Sequence, residues 1–456
     1  MNVKRASKAI VALILALSVI TASFIVAFAA EPTLGQVDEE DPLEASASYV
    51  IYRDGDLTLA INVATRVIDF RGSDTSEVVQ NTIDQLNGTG RIHIREGAYP
   101  ISAPIWITCN VSGSGNGTII KSASDGIKGS MIVVGWPSRY GADRPLYNVT
   151  VSGLQIDGSG EDYPNAGYGG LSTALLNHGM LSNLYIHNIP KSHGISLQGT
   201  YNTTVTRCYI ENIGFGDQYA SGIAMGSEYQ RIGLTSSYNL IDGVVIKGAS
   251  MAGIDIEPGH NNTIRNVGIS GLTSWIGGGA WGISIFNVPG MSVSSDNVIE
   301  NVSIHDPPNT GIYAQGISRL TLKSVSIFGA QSVGIYASNA DRLRIVDCTI
   351  RTLGTSGIFL LESKNMTVRG CLIGNLLDAA AGRGIIMTSD DPSAPSISNL
   401  VLGNVITNME YAVLFNGSST DFCALIDNVA LGCIYGFLLL GSNNIDENNI
   451  IISPTE

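Results

Sequence analysis

The chain is short of charge. Only 14 % of its 456 residues are Asp, Glu, Lys or Arg, against about 25 % in an ordinary globular protein, which argues against a coiled coil, a helical bundle and a disordered chain. Bases are scarcer than acids, 25 against 39. No basic surface is therefore on offer to phosphates, and no nucleic-acid partner is expected. No CxxC and no HExxH occurs, so no metal site of recognised spacing is expected. A Gly-x-Ser-x-Gly elbow and a phosphate-cradling glycine loop are also missing. After residue 30 no apolar run is long enough to span a bilayer.

What is present begins with a targeting segment. Lys4, Arg5 and Lys8 precede an apolar run from Ala9 to Ala30, and Ala27-Phe28-Ala29 gives a small-x-small cleavage pattern. Residues 1–30 read as a signal peptide or, given the length of the run, an N-terminal membrane anchor, which would be the one means of membrane attachment. Either way the remainder is expected to be secreted or held at the cell surface. Residues 31–48, with Glu31, Asp38, Glu39, Glu40, Asp41 and Glu44, read as an acidic solvated linker.

From about residue 190 one phrase recurs: SHGISLQ, SGIAMGS, AGIDIEP, WGISIFN, TGIYAQG, VGIYASN, SGIFLLE, RGIIMTS, YAVLFNG, YGFLLLG. A second phrase lies between these, as in NTTVTRCYI, NNTIRNVGI and DRLRIVDCTI. Both alternate apolar and polar residues with period two, and Gly, Asn and Pro punctuate the joints. Repeats of this size made only of short strands stack as parallel coils about 4.8 Å apart. The fold class is all-β, a right-handed parallel β-helix of about ten to twelve coils over residues 123–456. Asn residues are expected to stack at the joints, and the glycines to serve turns. Cys208, Cys348 and Cys371 take a repeat position that otherwise holds Val, so the cysteines are expected as buried thiols rather than a disulfide framework.

Residues 49–122 read as the N-terminal cap and first coils. Asp74 and Glu77 make a capping-box pattern, and Val79, Ile83 and Leu86 share one face of a helix over roughly 75–86, stopped by Asn87-Gly88. This helix followed by RIHIREGAYPI, together with the coil phrases, resembles the pectate lyase/polygalacturonase superfamily over about residues 65–456. The resemblance implies the architecture more than an activity, because that superfamily holds lyases, hydrolases, epimerases, tailspikes and non-catalytic surface proteins. Of the polygalacturonase motifs, Ser192-His193-Gly194 is similar to Gly-His-Gly, but Ala224-Met225-Gly226 stands where Arg-Ile-Lys is expected. The preceding coil, residues 169–179, lacks the Asp pair.

In Gly-Ile-x-Ile-x the two x residues face outward. One coil alone places two carboxylates there, Asp255 and Glu257. Their α-carbons should lie about 6.5–7 Å apart along the strand, compatible with the carboxyl separation of about 6.5–9.5 Å in inverting glycosidases. Close like charges would push the two pKa values apart, one acid protonating the leaving oxygen and the other activating water. The connections flanking this coil are long and aromatic, whereas its own are short, which predicts a cleft floored by the two acids. Ala224 and Gly226 leave room beside them.

The catalytic candidates are Asp255 and Glu257, with His193 and Asp217 in second rank. Candidates for holding substrate are Phe215, Tyr219, Trp275, Trp281, Phe286, Tyr313, Tyr336, Arg231 and His260. Tyr313 and Tyr336 read equally as a sugar track or as an aromatic stack that steadies the sheet. No cofactor is expected, and Ca²⁺ is the ion that two clustered carboxylates would suit. These residues point to an exported carbohydrate-active protein with a polysaccharide partner, cleaving glycosidic bonds by carboxylate acid/base hydrolysis. A lyase, or a non-catalytic surface or adhesion solenoid that binds polysaccharide, is the alternative.

Overall fold

The computed structural model describes residues 41–137, 144–164, 168–214, 219–226, 235–274, 279–287, 290, 292–376, 382–389, 391, 393–417 and 420–452. The expected targeting segment and most of the expected linker lie outside these residues. Among the described residues, no helix is long and apolar enough to cross a membrane.

Strands stack in parallel register into two long sheets, one of 29 strands and one of 13. The 13-stranded sheet is built from the Gly-Ile phrases, ten of which are visible in the sequence. Its first three strands, Ile105–Ile107, Ser130–Val134 and Gly169–Ala174, come before the phrase settles into form. Inward positions superpose coil on coil: Ile195, Ile223, Ile254, Ile283, Ile312 and Ile335 stand in one row, and all are buried. Fully burying each such side chain is worth about 1.5–3 kcal/mol.

The glycine of the phrase is not there for a turn. A Cβ at Gly282 would stand 2.5 Å from the Gly311 carbonyl oxygen and 2.5 Å from Ile304 Cγ2 of the facing sheet. Close approach of sheet to sheet, rather than backbone conformation, keeps this column free of side chains. The expectation that the glycines serve turns is therefore corrected for this column.

Asparagines stack at the joints as expected. Asn239 Nδ2 donates to Asn262 Oδ1 and Asn262 Nδ2 to Asn297 Oδ1, both at 3.1 Å. Asn404, Asn428 and Asn449 form a second ladder. All six cysteines are free and buried, and the Cys348 and Cys371 thiols, in adjacent coils, each donate to backbone carbonyls.

The N-terminal end of the core is closed by two short helices and an antiparallel set of strands. Helix α1 (Pro42–Ala45) carries Glu44, which belongs to no solvated linker. It is buried and gripped by Arg95, whose Nε and Nη2 donate to its two carboxylate oxygens at 2.5 and 2.7 Å. Helix α2 (Thr75–Leu86) begins where Asp74 accepts from the Ser76 amide at 2.9 Å. It stops at Asn87, in the left-handed conformation with φ of 47°. Val78, Val79 and Ile83 of α2 are buried in the core.

Candidate active site

Asp255 sits on the strand Ala252–Ile256, facing out of the 13-stranded sheet between Ala224 of the preceding coil and Ser284 of the next. Although it faces outward, it is only 3 % exposed. Ser284 Oγ donates to its Oδ1 at 2.5 Å, and Glu257 two residues on is near enough to act on its carboxyl. Burial first, then the charge and hydrogen bond of Glu257, push the Asp255 pKa well above the usual carboxylate range, against smaller opposing pulls from Ser284 and the Ile256 backbone. A carboxyl held this way keeps its proton at pH values where an exposed one has lost it.

Glu257 lies just beyond the strand, its amide bonded to the Met225 carbonyl at 2.8 Å. It is the more open acid of the two, and the Tyr219 phenol donates to its Oε1 at 2.6 Å. Burial, followed by the nearby Asp255 and Glu257, raises the Tyr219 pKa steeply, so the phenol remains a proton donor. Tyr219, Glu257, Asp255 and Ser284 thus neighbour one another across three coils, with the phenol bonded to Glu257 and the serine hydroxyl to Asp255.

Below the acids the outward-facing Ser196 and Ala224 are themselves buried. Ser196, Ala224 and Asp255 follow one another in register, and so do Gln198 and Gly226. The nearest atom to a Cβ placed on Gly226 is Gln198 Nε2 at 3.7 Å. Further down the same face runs a groove of about 320 Å³, lined by Trp106, Lys128, Ser172, His193, Ser196 and Gln198. Trp106 and Lys128 precede the phrase region, so no repeat position marked them. Ser284 stood at an outward repeat position, but a lone serine gives no sign of the carboxyl it meets.

His193 lines this groove two coils below Asp255. Its Nδ1 accepts from the Ser221 amide at 3.0 Å, and burial lowers its pKa. The ring is therefore neutral, with its proton on Nε2. Above the acids, Trp281, Tyr313, Tyr336 and Phe359 form a continuous stack, with centroids 5.2, 5.2 and 5.5 Å apart and interplanar angles of 27°, 4° and 16°. Tyr313 and Tyr336 are thus an aromatic stack with their faces turned to each other. Phe286 follows Glu257 in the next coil, by the register of Ile256 with Ile285. His260 is turned to Ser295 and Ser292, at 3.2 and 3.0 Å from its two ring nitrogens. Phe215, Asp217, Arg231 and Trp275 lie outside the described residues, as do parts of the long connections expected to wall the cleft.

Among the described residues one group of three or more His, Cys, Asp or Glu side chains comes close enough to share an ion: Asp41, Glu44 and His93 at the N-terminal cap. Its donors are already engaged. Asp41 accepts from the Leu43 amide, Glu44 is held by Arg95, and both nitrogens of His93 meet serine hydroxyls.

The family model for the right-handed β-helix region matches residues 231–392 and 296–451. Among solved structures, tailspike protein 3 of bacteriophage CBA120 is 12 % identical with a TM-score of 0.62, over 90 % of this chain and 67 % of its own. The A-module of the mannuronan C-5 epimerase AlgE4 of Azotobacter vinelandii is 16 % identical with a TM-score of 0.54, over 82 % and 95 %. The catalytic unit of the GH87 α-1,3-glucanase of Streptomyces thermodiastaticus is 15 % identical with a TM-score of 0.51, over 83 % and 66 %. No curated protein matches the sequence. The chain is a right-handed parallel β-helix protein.

Proposed function

We propose that this is an exported polysaccharide-cleaving enzyme whose Asp255–Glu257 pair hydrolyses a glycosidic bond. The observation that carries the reading is a buried carboxyl with a strongly raised pKa beside a more open one, on a face that bears a groove two coils further down. The raised pKa keeps the proton on Asp255. It passes through Glu257, the more open member, to the glycosidic oxygen as the bond to the anomeric carbon breaks. Water then adds to that carbon and returns a proton to the pair. Ser284 and Tyr219, both donors, steady the charge left behind. Two carboxyls that share a proton offer a poor seat to Ca²⁺, which takes ionised oxygens, so the proposed step uses none.

The test is release of reducing ends from a panel of plant, algal and microbial polysaccharides, comparing the wild type with Asp255→Asn and Glu257→Gln. Loss of release in both variants supports the pair. New double-bond absorbance in place of reducing ends from water addition would mean a lyase. A second reading, a binding solenoid without chemistry, is favoured by the aromatic stack. It would be preferred if no polymer is cut while gel retardation by a polysaccharide persists in both variants.

A further inference from the structure

The 29-stranded sheet carries a second concave site, on a different face of the solenoid from the acid pair. Strands Tyr185–Ile189 and Tyr209–Ile213 pair in register, placing Tyr209 directly above Tyr185. Two residues before each tyrosine stand Asn183 and Arg207, in adjacent coils at the same corner, both with left-handed backbone. Asn183 with Arg207, and Tyr185 with Tyr209, therefore form two pairs of side chains in adjacent coils, each pair about 4.8 Å apart along the solenoid. Asn116, on the connection beside Gly115, closes one end of a groove of about 420 Å³.

The groove is rigid where it is aromatic and unsatisfied where it is polar. Tyr185 is fixed by stacking on His187 at 4.3 Å, by meeting Tyr209 edge-on at 5.5 Å, and by donating to Glu211. Tyr209 is 36 % exposed. Elsewhere Arg265 and Arg319 pair with an aspartate of the neighbouring coil. Among the described residues, the side chains of Arg207, Asn183 and Asn116 have no such partner. A solvent-exposed guanidinium and two exposed amides stand here beside a tyrosine platform. Pyranose rings are bound by this combination: C–H faces on an aromatic ring, oxygens on fixed N–H donors. A preset platform also lowers the ordering cost of binding.

We propose that this groove is a second saccharide-binding site, holding one pyranose unit of a glycan against Tyr209 with its oxygens on Arg207 and Asn183, while Asn116, three coils away, meets a neighbouring unit of the same glycan. The site acts without the acid pair and does not depend on the hydrolase reading. It would anchor a polymer to one face while another segment lies on the other.

The experiment uses the Asp255→Asn/Trp281→Ala protein, so that binding on the acid face is crippled, and affinity electrophoresis in gels containing alginate or dextran. Retention is expected in at least one gel. Alginate alone would show that Arg207 takes a carboxylate, and dextran that hydroxyls suffice. Adding Tyr209→Ala or Arg207→Gln should weaken retention about tenfold, while Tyr209→Phe, which keeps the ring, should not. Arg207→Gln stands in if Tyr209→Ala fails to fold. No retention in either gel, or retention untouched by both Tyr209→Ala and Arg207→Gln, overturns the proposal, whatever the cleavage assays give.

Discussion

Tyr219 and Glu257 belong to successive coils, and the phenol of one is bonded to the carboxylate of the other at 2.6 Å. The bond ties the segment leading into strand Ser221–Gly226 to the acid of the coil above it. A hydrogen bond to a charged group is worth about 1.5–3 kcal/mol. Tyr219→Phe should therefore lower kcat/KM on whichever polymer is cut by about ten- to a hundredfold, with the fold intact by circular dichroism. Unchanged kinetics would place Tyr219 outside the reaction.

Asp255 links stability to pH. Its pKa is raised in the folded chain, so the folded state holds a proton that the unfolded state has released. The stabilisation from that proton is complete below the unfolded value of about 3.9 and is lost as pH rises through the folded one. At pH 7 and above, where holding the carboxyl works against folding, Asp255→Asn should match or exceed the wild type in Tm by about 2 °C. At pH 4 the gain should vanish. A gain that grows toward low pH would contradict the raised pKa.

His193 gives the opposite sign and a different kind of change. Its lowered pKa and its acceptance of the Ser221 amide leave it neutral at physiological pH, donating through Nε2. His193→Gln should raise KM about two- to tenfold and leave the shape of the pH–rate profile unchanged. Disappearance of an inflection near pH 6–7 in that variant would show that the imidazole titrates during turnover.

Asn262 bonds both neighbours of its ladder and the Ser236 carbonyl. Asn262→Ala leaves several buried polar groups without partners and should cost about 2–4 kcal/mol, read from guanidinium unfolding. A loss below about 0.5 kcal/mol, the scale of a neutral surface change, would mean that the ladder contributes little.

The architecture was legible because a solenoid writes each coil again in nearly the same letters. Ile254, Ile283 and Ile312 announce one inward row, and the boundaries of α2 follow from Asp74 and Asn87. The outward row announces less. Asp255 and Glu257 could be picked out as the coil with two acids, but period two fixes only the side they leave from. The burial of Asp255 and its bond to Ser284 depend on neighbouring coils and rotamers, which a repeat does not encode. The role of the phrase glycine was likewise hidden, since a glycine demanded by a facing sheet reads the same as one demanded by a bend. Glu44 looked like one more acid in an acidic run, because its partner Arg95 is 51 residues away.

The stack from Trp281 to Phe359 spends its ring faces on itself and turns only edges to solvent, apart from the outermost ring at each end. Trp281 is the end ring nearest the acids, on the coil after Asp255. The stack is a bookend rather than a rail, since a ring that faces its neighbour has no face left for a sugar.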